Sequence, residues 1–118
     1  AKEVSRLEIG QTVVVKEGTV LAVEGFEGTD RCLARGGELA GPDRGAVAVK
    51  VAKANHDLRF DIPCVGQRTI EMCASSGVVV LALEPGKTLL LDREAVEELV
   101  DRHRLSLVAA AETGAGQD

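Results

Sequence analysis

Apolar side chains occupy both alternating faces of residues 46–52 until Lys50 interrupts the run. A strand with this pattern is typical of a parallel or mixed sheet that is covered by helices. Residues 78–83 form a second continuous apolar run, and a helical pattern precedes it at residues 67–75, with Gly77 placed as its C-cap. The chain therefore alternates strand and helix, and Lys50 marks the carboxyl end of a buried strand.

Two β-hairpins are predicted around these runs. Residues 11–15 and 19–23 are β-branched and are joined by a short connection that contains Gly18. After residues 78–83, Pro85-Gly86 fits a type II turn into a strand at residues 88–91. We expect both connections to form antiparallel pairs.

The remaining elements follow from capping signals. A loop that ends on Thr29 or Asp30 predicts a short helix from Arg31 to about Arg35, ended by Gly36 and Gly37. Asp92 is a candidate N-cap for the last helix, which a strand at residues 105–109 follows.

The composition fits one globular domain, because 45% of the 118 residues are hydrophobic and 28% are charged. The prediction is a single layered α/β domain with a mixed sheet, two β-hairpins and about three helices, spanning residues 1–109. Residues 110–118 are small and polar and predict a flexible tail.

A net charge of -5 argues against a nucleic-acid partner, since such a surface needs clustered basic residues. The chain has no apolar run of the roughly 20 residues that cross a bilayer, and no signal peptide, so we expect a soluble, cytoplasmic domain. The irregular spacing of Cys32, Cys64 and Cys73 indicates neither a disulfide framework nor a zinc site.

Charged residues are concentrated just after the first buried strand. Residues 57–62 alternate, so that Asp57, Arg59 and Asp61 share one face in extended form, and Lys50 and Lys53 precede them. Carboxylates suit Mg²⁺ or Mn²⁺ and basic residues suit phosphate, which together describe phosphoryl-transfer chemistry. Taken alone, the alternation favours a solvated edge strand.

A second candidate site lies at Glu27, Thr29 and Asp30, where a helix N-terminus favours anions and the carboxylates favour a cation. Its ordinary alternative is a capped helix start. We expect the acidic face of residues 57–62 to turn into a cleft shared with Glu27 and Asp30. His56 is a candidate acid-base residue beside Asp57, although a loop histidine is commonly just solvated.

The order and spacing of these motifs resemble the C-terminal domain of the LpxI-type UDP-2,3-diacylglucosamine pyrophosphatases. The likeness is carried by Glu-Gly-Thr-Asp at 27–30, Lys-Val-Ala-Lys at 50–53, Asp-Leu-Arg-Phe-Asp-Ile-Pro at 57–63, and Gly66. Ala54 and His56 depart from the family pattern, which has Pro and Gln there.

The resemblance implies hydrolysis of UDP-2,3-diacylglucosamine to UMP and 2,3-diacylglucosamine 1-phosphate in lipid A synthesis, assisted by Mg²⁺ or Mn²⁺. It makes Asp57 the essential carboxylate, with Asp61 and Asp30 among its site neighbours. From their chemistry we expect Asp57 and Asp61 to be catalytic and Asp57, Asp61 and Asp30 to bind the metal ion. The resemblance also implies a further N-terminal domain and leaves open a transient contact with the inner membrane surface. The residues assigned to the substrate are Lys50, Lys53, Arg59, Glu27, Thr29 and Asp30, so Asp30 is assigned to both the substrate and the metal ion.

Two rival functions remain. A non-catalytic nucleotide-sugar or phospholipid binding module would use the same basic residues without a metal. A structural domain that pairs through its hairpin edges would leave the charged face inert. Metal-dependent turnover distinguishes the enzyme from both rivals.

Overall fold

The computed structural model describes residues 1–7, 9–52, 64–84 and 89–109. The elements of the described residues are α1 (Lys2–Arg6), β1 (Thr12–Lys16), β2 (Thr19–Val23), α2 (Thr29–Ala40), β3 (Ala46–Lys50), β4 (Cys64–Val65), α3 (Gln67–Ser76), β5 (Val78–Leu83), β6 (Leu89–Leu90), α4 (Arg93–Arg102) and β7 (Ser106–Ala109). The predicted tail at 110–118 lies outside the described residues.

Five strands form a mixed sheet in the order β2-β1-β3-β5-β7, which confirms the predicted α/β class. β1 is antiparallel to both β2 and β3, whereas β3, β5 and β7 pair in parallel. The β1–β2 hairpin is confirmed. Its two-residue turn places both Glu17 and Gly18 at positive φ, the backbone that a tight hairpin with the native strand twist requires.

The helices α2, α3 and α4 form one layer on one face of the sheet. α2 packs on β1, β2, β3 and α3, and α3 packs on β5 and α4. The connections from β2 to β3, from β3 to β5 and from β5 to β7 all move toward the same end of the sheet. When such connections are right-handed, their helices lie on the same face of the sheet. On β3, Ala46 and Ala48 face this layer and are buried, while Val47 and Val49 on the other face are half-buried. The strand is therefore not sandwiched between two helix layers, as its apolar run suggested.

The hydrophobic core lies between the sheet and the helix layer. Its larger members are completely buried, and aliphatic side chains supply them because aromatic residues are only 2% of the sequence. They are Val14, Leu33, Val65, Ile70, Val78, Leu81 and Val96.

The second helix is the largest correction to the sequence prediction. It runs through Gly36 and Gly37 to Ala40 instead of ending at them, and its N-cap is Gly28, with no side-chain cap hydrogen bond from Thr29 or Asp30. A Cβ on Gly36 would lie 2.6 Å from Val14 Cβ, and one on Gly37 would lie 1.7 Å from the carbonyl oxygen of Ser76. These glycines let α2 approach β1 and α3 closely.

The second predicted hairpin is wrong, although residues 85–88 of its turn lie outside the described residues. Leu89 and Leu90 pair in parallel with Cys64 and Val65, not with β5, whose two neighbours are β3 and β7. With both of its edges already occupied in the central sheet, β5 has no free side for a hairpin partner. The short helix α1 was not predicted at all, and α3 and α4 begin where the sequence placed them.

Candidate active site

The parallel strands end at one edge of the sheet, and three helices begin there. β2, β3, β5 and β7 run in the same direction, so α2, α3 and α4, which follow β2, β3 and β5 in the chain, all have their N-termini at the carboxyl edge. Ligands of open α/β sheets bind beyond the carboxyl ends of strands, where helix N-termini also favour anions. This edge is the candidate site.

Lys50 supplies a cationic group at the centre of the edge. It is the last residue of β3, between Thr12 of β1 and Leu83 of β5, and its side chain lies on the face covered by the helices. Only 9% of the residue is exposed, and Nζ donates a long hydrogen bond of 3.5 Å to the carbonyl oxygen of Cys64. Burying an ammonium costs free energy unless an anion or hydrogen-bond acceptors compensate it. The predicted position of Lys50 at the strand end is confirmed.

A hydroxyl and carboxylate network fixes the start of α2 to the sheet. The hydroxyl of Thr29 donates to Glu24 Oε1 at 3.2 Å and lies 3.2 Å from the hydroxyl of Thr12, which is fully buried. The same Glu24 oxygen accepts from the backbone N–H of Gln11 at 3.3 Å. Thr29 therefore holds a structural position at the edge, and Glu24 is a residue that the sequence analysis missed.

Each of the two predicted carboxylates next to Thr29 faces an arginine. Asp30 Oδ2 lies 3.0 Å from Nε of Arg68, which joins the first turns of α2 and α3. Glu27 accepts a hydrogen bond from Arg35, and this contact raises the pKa of the Arg35 guanidinium. Arg35 also donates to the backbone carbonyl of Val23 at 3.0 Å, which secures the end of β2.

Arg68 was also missed by the sequence analysis, although its position carries a signal. It lies in the first turn of α3, where a basic side chain opposes the helix dipole. A nearby carboxylate or anionic ligand stabilises a cation in that position, and the carboxylate of Asp30 lies beside Arg68. The prediction that Asp30 lies at the edge is thus correct, with an arginine beside it that the spacing did not reveal.

Five of the candidate site residues lie outside the described residues: Lys53, His56, Asp57, Arg59 and Asp61. The chain on both sides of them is held at the candidate edge. The backbone N–H of Ala52 donates to Glu84 Oε1 at 3.1 Å, and the Ala52 carbonyl accepts from Ser5. On the far side, the Cys64 carbonyl accepts from Lys50. The cleft that joins Asp57 to Glu27 and Asp30 stays a prediction.

The carboxylates in the described part of the edge do not converge on one point. No group of three or more His, Cys, Asp or Glu residues among the described ones is arranged to hold a metal ion. Asp30 is the one predicted ligand that the structure describes, and its carboxylate is paired with Arg68. A divalent ion there would need the carboxylates of Asp57 and Asp61, whose oxygens are the donors that Mg²⁺ and Mn²⁺ prefer.

The thiols do not form a reactive centre. Burial raises the pKa of Cys32 to about 11 and that of Cys73 to about 12, so both are protonated at neutral pH. Cys64 is exposed, and no disulfide joins any of the three cysteines. His103 is the exposed C-cap of α4, at the end of the helix away from the candidate edge.

None of the helices in the described residues is long and apolar enough to span a membrane.

Comparison with known proteins gives a family match along nearly the whole chain. The family model of the LpxI C-terminal domain matches residues 1–108. The UDP-2,3-diacylglucosamine pyrophosphatase LpxI of Caulobacter vibrioides is 42% identical over an alignment of 107 residues, and the alignment covers 86% of this chain. The chain spans 38% of the length of that relative.

Proposed function

This chain belongs to the LpxI family as its C-terminal domain, and from that premise we propose that it contributes the catalytic edge of a UDP-2,3-diacylglucosamine pyrophosphatase. The proposed products are UMP and 2,3-diacylglucosamine 1-phosphate, made in the cytoplasm during lipid A synthesis. The match over residues 1–108 carries the proposal, together with the name of the Caulobacter relative.

The described residues support a site for an anionic substrate. The pyrophosphate carries its negative charge on oxygens, and the edge offers the buried ammonium of Lys50 and the free N–H groups that begin α2 and α3. Groups fixed in place by the fold stabilise charge in a transition state without reorganising. Lys50 would hold a phosphate oxygen, and Lys53 and Arg59 would act beside it.

We assign proton transfer and cation binding to the carboxylates. Asp57 would accept the proton of the attacking water, and Asp61 would orient it, so that water adds to phosphorus as the bridging oxygen departs. A Mg²⁺ or Mn²⁺ ion bound by Asp57, Asp61 and Asp30 would supply charge neutralisation at the pyrophosphate. Asp30 could join such a set, because its present partner Arg68 is 84% exposed and can turn to solvent when Asp30 binds a cation.

The test is the substitution Asp57→Asn in the longer protein that contains this domain. The amide keeps the size of the side chain but cannot take a proton, so we expect single-turnover rates at saturating Mg²⁺ or Mn²⁺ to fall by about 100-fold or more. Substrate binding should persist, because the cationic groups that hold the pyrophosphate are unchanged. We also expect the melting temperature to stay the same, because the substitution keeps the size and shape of the side chain.

A matched control is Asp43→Asn, because Asp43 is exposed in the loop that enters β3, at the opposite edge of the sheet. It should leave turnover unchanged. Removing divalent ions with EDTA should end turnover by the unsubstituted protein while binding remains, and this separates the enzyme from a binding module. Near-normal turnover in Asp57→Asn would return the acidic face to the solvated-strand interpretation.

A further inference from the structure

An open groove lies beside β7, the last strand of the sheet. β7 pairs with β5 on one side, and no strand in the described ranges pairs with its other side. Between this strand and α4 there is a cavity of about 540 Å³. We call the cavity and the outer edge of β7 together the β7 groove.

The floor of the β7 groove is apolar. Leu83 at the end of β5, Leu90 of β6, Val100 of α4 and Leu107 of β7 line it. On α4, Val100 lies on the same face as Val96 and Leu99, at the border between the core and the groove, and it is partly buried. An apolar hollow of this volume falls in the range of pockets that bind side chains or small ligands.

The edge strand is four residues long and, in the part of the chain that the structure describes, carries no lysine, proline or bulge. Edge strands commonly carry a lysine, a proline or a bulge, which prevent another strand from pairing with them. β7 consists of Ser-Leu-Val-Ala, its register with β5 is uninterrupted, and Ser106, Val108 and Ala109 are exposed. Its outward backbone N–H and C=O groups can therefore accept a further strand.

The charges at the rim favour a basic occupant. Among the described residues, Glu84, Glu97 and Asp101 line the groove together with one cation, Arg93. Glu84 is paired with Lys2, and Glu97 with Arg93 at 2.9 Å. The third carboxylate, Asp101, therefore gives the rim its net negative charge. A second copy of the chain would bring the same acidic rim against itself, which is unfavourable. The residues after Ala109 include Glu112 and Asp118 and no basic side chain, so they do not complement the rim either.

We propose that the β7 groove binds an extended segment of another protein, with an apolar side chain flanked by lysine or arginine. The segment would pair with β7 through its backbone, place the apolar side chain on Leu90 and Leu107, and direct its basic ends to Glu97 and Asp101. This is strand addition, in which main-chain hydrogen bonds give affinity and pockets select alternate side chains. The β7 groove meets the carboxyl edge of the sheet at Leu83, Glu84 and Arg93, but the proposal concerns the outer side of β7 and does not depend on the proposed reaction.

The experiment uses a fluorescent peptide, Arg-Val-Leu-Val-Lys with blocked ends, titrated with the 118-residue chain. Glu97→Lys should weaken binding by about fivefold, the upper range for an exposed ion pair. The matched control is Glu98→Lys, because Glu98 is also exposed and paired with an arginine, Arg102, but does not line the groove. Glu98→Lys should leave the affinity unchanged. The acidic peptide Glu-Val-Leu-Val-Glu should instead bind the Glu97→Lys variant more tightly than the unsubstituted chain.

A second arm tests the backbone pairing. N-methyl groups on alternate residues remove hydrogen bonding along only one edge of an extended peptide, so one of the two methylated registers should lose binding and the other should keep it. Equal binding by both registers, equal weakening by the two lysine variants, or no binding of the blocked peptide would each overturn the proposal. Self-association of the chain that Glu97→Lys disperses would also overturn it, by assigning the groove to a second copy.

Discussion

Replacing Gly37 with alanine tests how closely α2 packs against α3. A Cβ at this position would lie 1.7 Å from the carbonyl oxygen of Ser76, 2.5 Å from its carbonyl carbon and 2.7 Å from its Cβ. Two of these are backbone atoms, which cannot rotate away. Ordinary contact begins at 3.4 Å, so α2 and the end of α3 would have to separate by roughly 1.7 Å at this point.

The magnitude follows from two opposing terms. Alanine in a helix interior is favoured over glycine by about 1 kcal/mol. Overpacking a dense core costs about 1–3 kcal/mol and occasionally more, and a clash with backbone belongs at the upper end. We therefore expect Gly37→Ala to lower the free energy of unfolding by about 2 kcal/mol. At about 4 °C per kcal/mol for a domain of this size, the melting temperature should fall by about 8 °C.

Urea unfolding followed by circular dichroism measures this difference. Gly25→Ala is the control, because its Cβ would meet no atom within 4 Å and its φ is not in the left-handed region. The control should change stability by no more than about 0.5 kcal/mol. A Gly37→Ala variant as stable as the unsubstituted chain, or more stable, would refute the close approach of the two helices.

Two further predictions concern the core and the thiols. Leu81→Ala, at a fully buried position in β5, should lower the free energy of unfolding in urea by about 2–5 kcal/mol. The control Leu39→Ala, at a side chain that is 58% exposed, should lower it little, and equal effects of the two substitutions would contradict the packing of the core. At pH 8 a thiol reagent should modify Cys64 alone, and modification of two or three thiols without denaturant would contradict the burial of Cys32 and Cys73. Burial raises the pKa of these two thiols to about 11 and 12, whereas a thiol in an unfolded chain has a pKa of about 8.5. The stability that the two protonated thiols contribute is therefore fully present below about pH 8.5 and is lost as the pH rises through 11 to 12. Cys32→Ala should reduce this alkaline loss in urea titrations at increasing pH, and an unchanged pH dependence would contradict it.

Local patterns were sufficient for elements that depend on local physics. The β1–β2 hairpin follows from two β-branched runs and a glycine turn, and α3 ends at Gly77 because a left-handed C-cap favours glycine. Gly36 and Gly37 misled the prediction because glycine has two uses in a chain. It can end a helix, or it can let a helix approach its neighbour, and only the positions of Val14 and Ser76 show which use applies.

In the candidate site too, some residues could be predicted from local sequence patterns and others could not. Lys50 could be placed from the sequence because it interrupts an apolar run, and Thr29 and Asp30 because they follow a glycine loop at a helix start. Their partners could not be placed. The contact between Asp30 and Arg68 spans two helices, and that between Thr29 and Thr12 joins a helix to a strand, so neither leaves a periodic pattern in the chain.

The pairing of β1 with the strand that follows it in the chain has a consequence for the order of folding. β1 closes on β2 through a two-residue turn, whereas Val47 must find Val80, and Leu81 must find Leu107. Bringing distant residues together costs more chain entropy and is slower. The hairpin should therefore form first and the sheet should grow from it, through β3 and β5 to β7. In pulsed hydrogen exchange during refolding, the amides of Val14 and Val15 should gain protection before that of Leu107, and simultaneous protection would argue for a single concerted step.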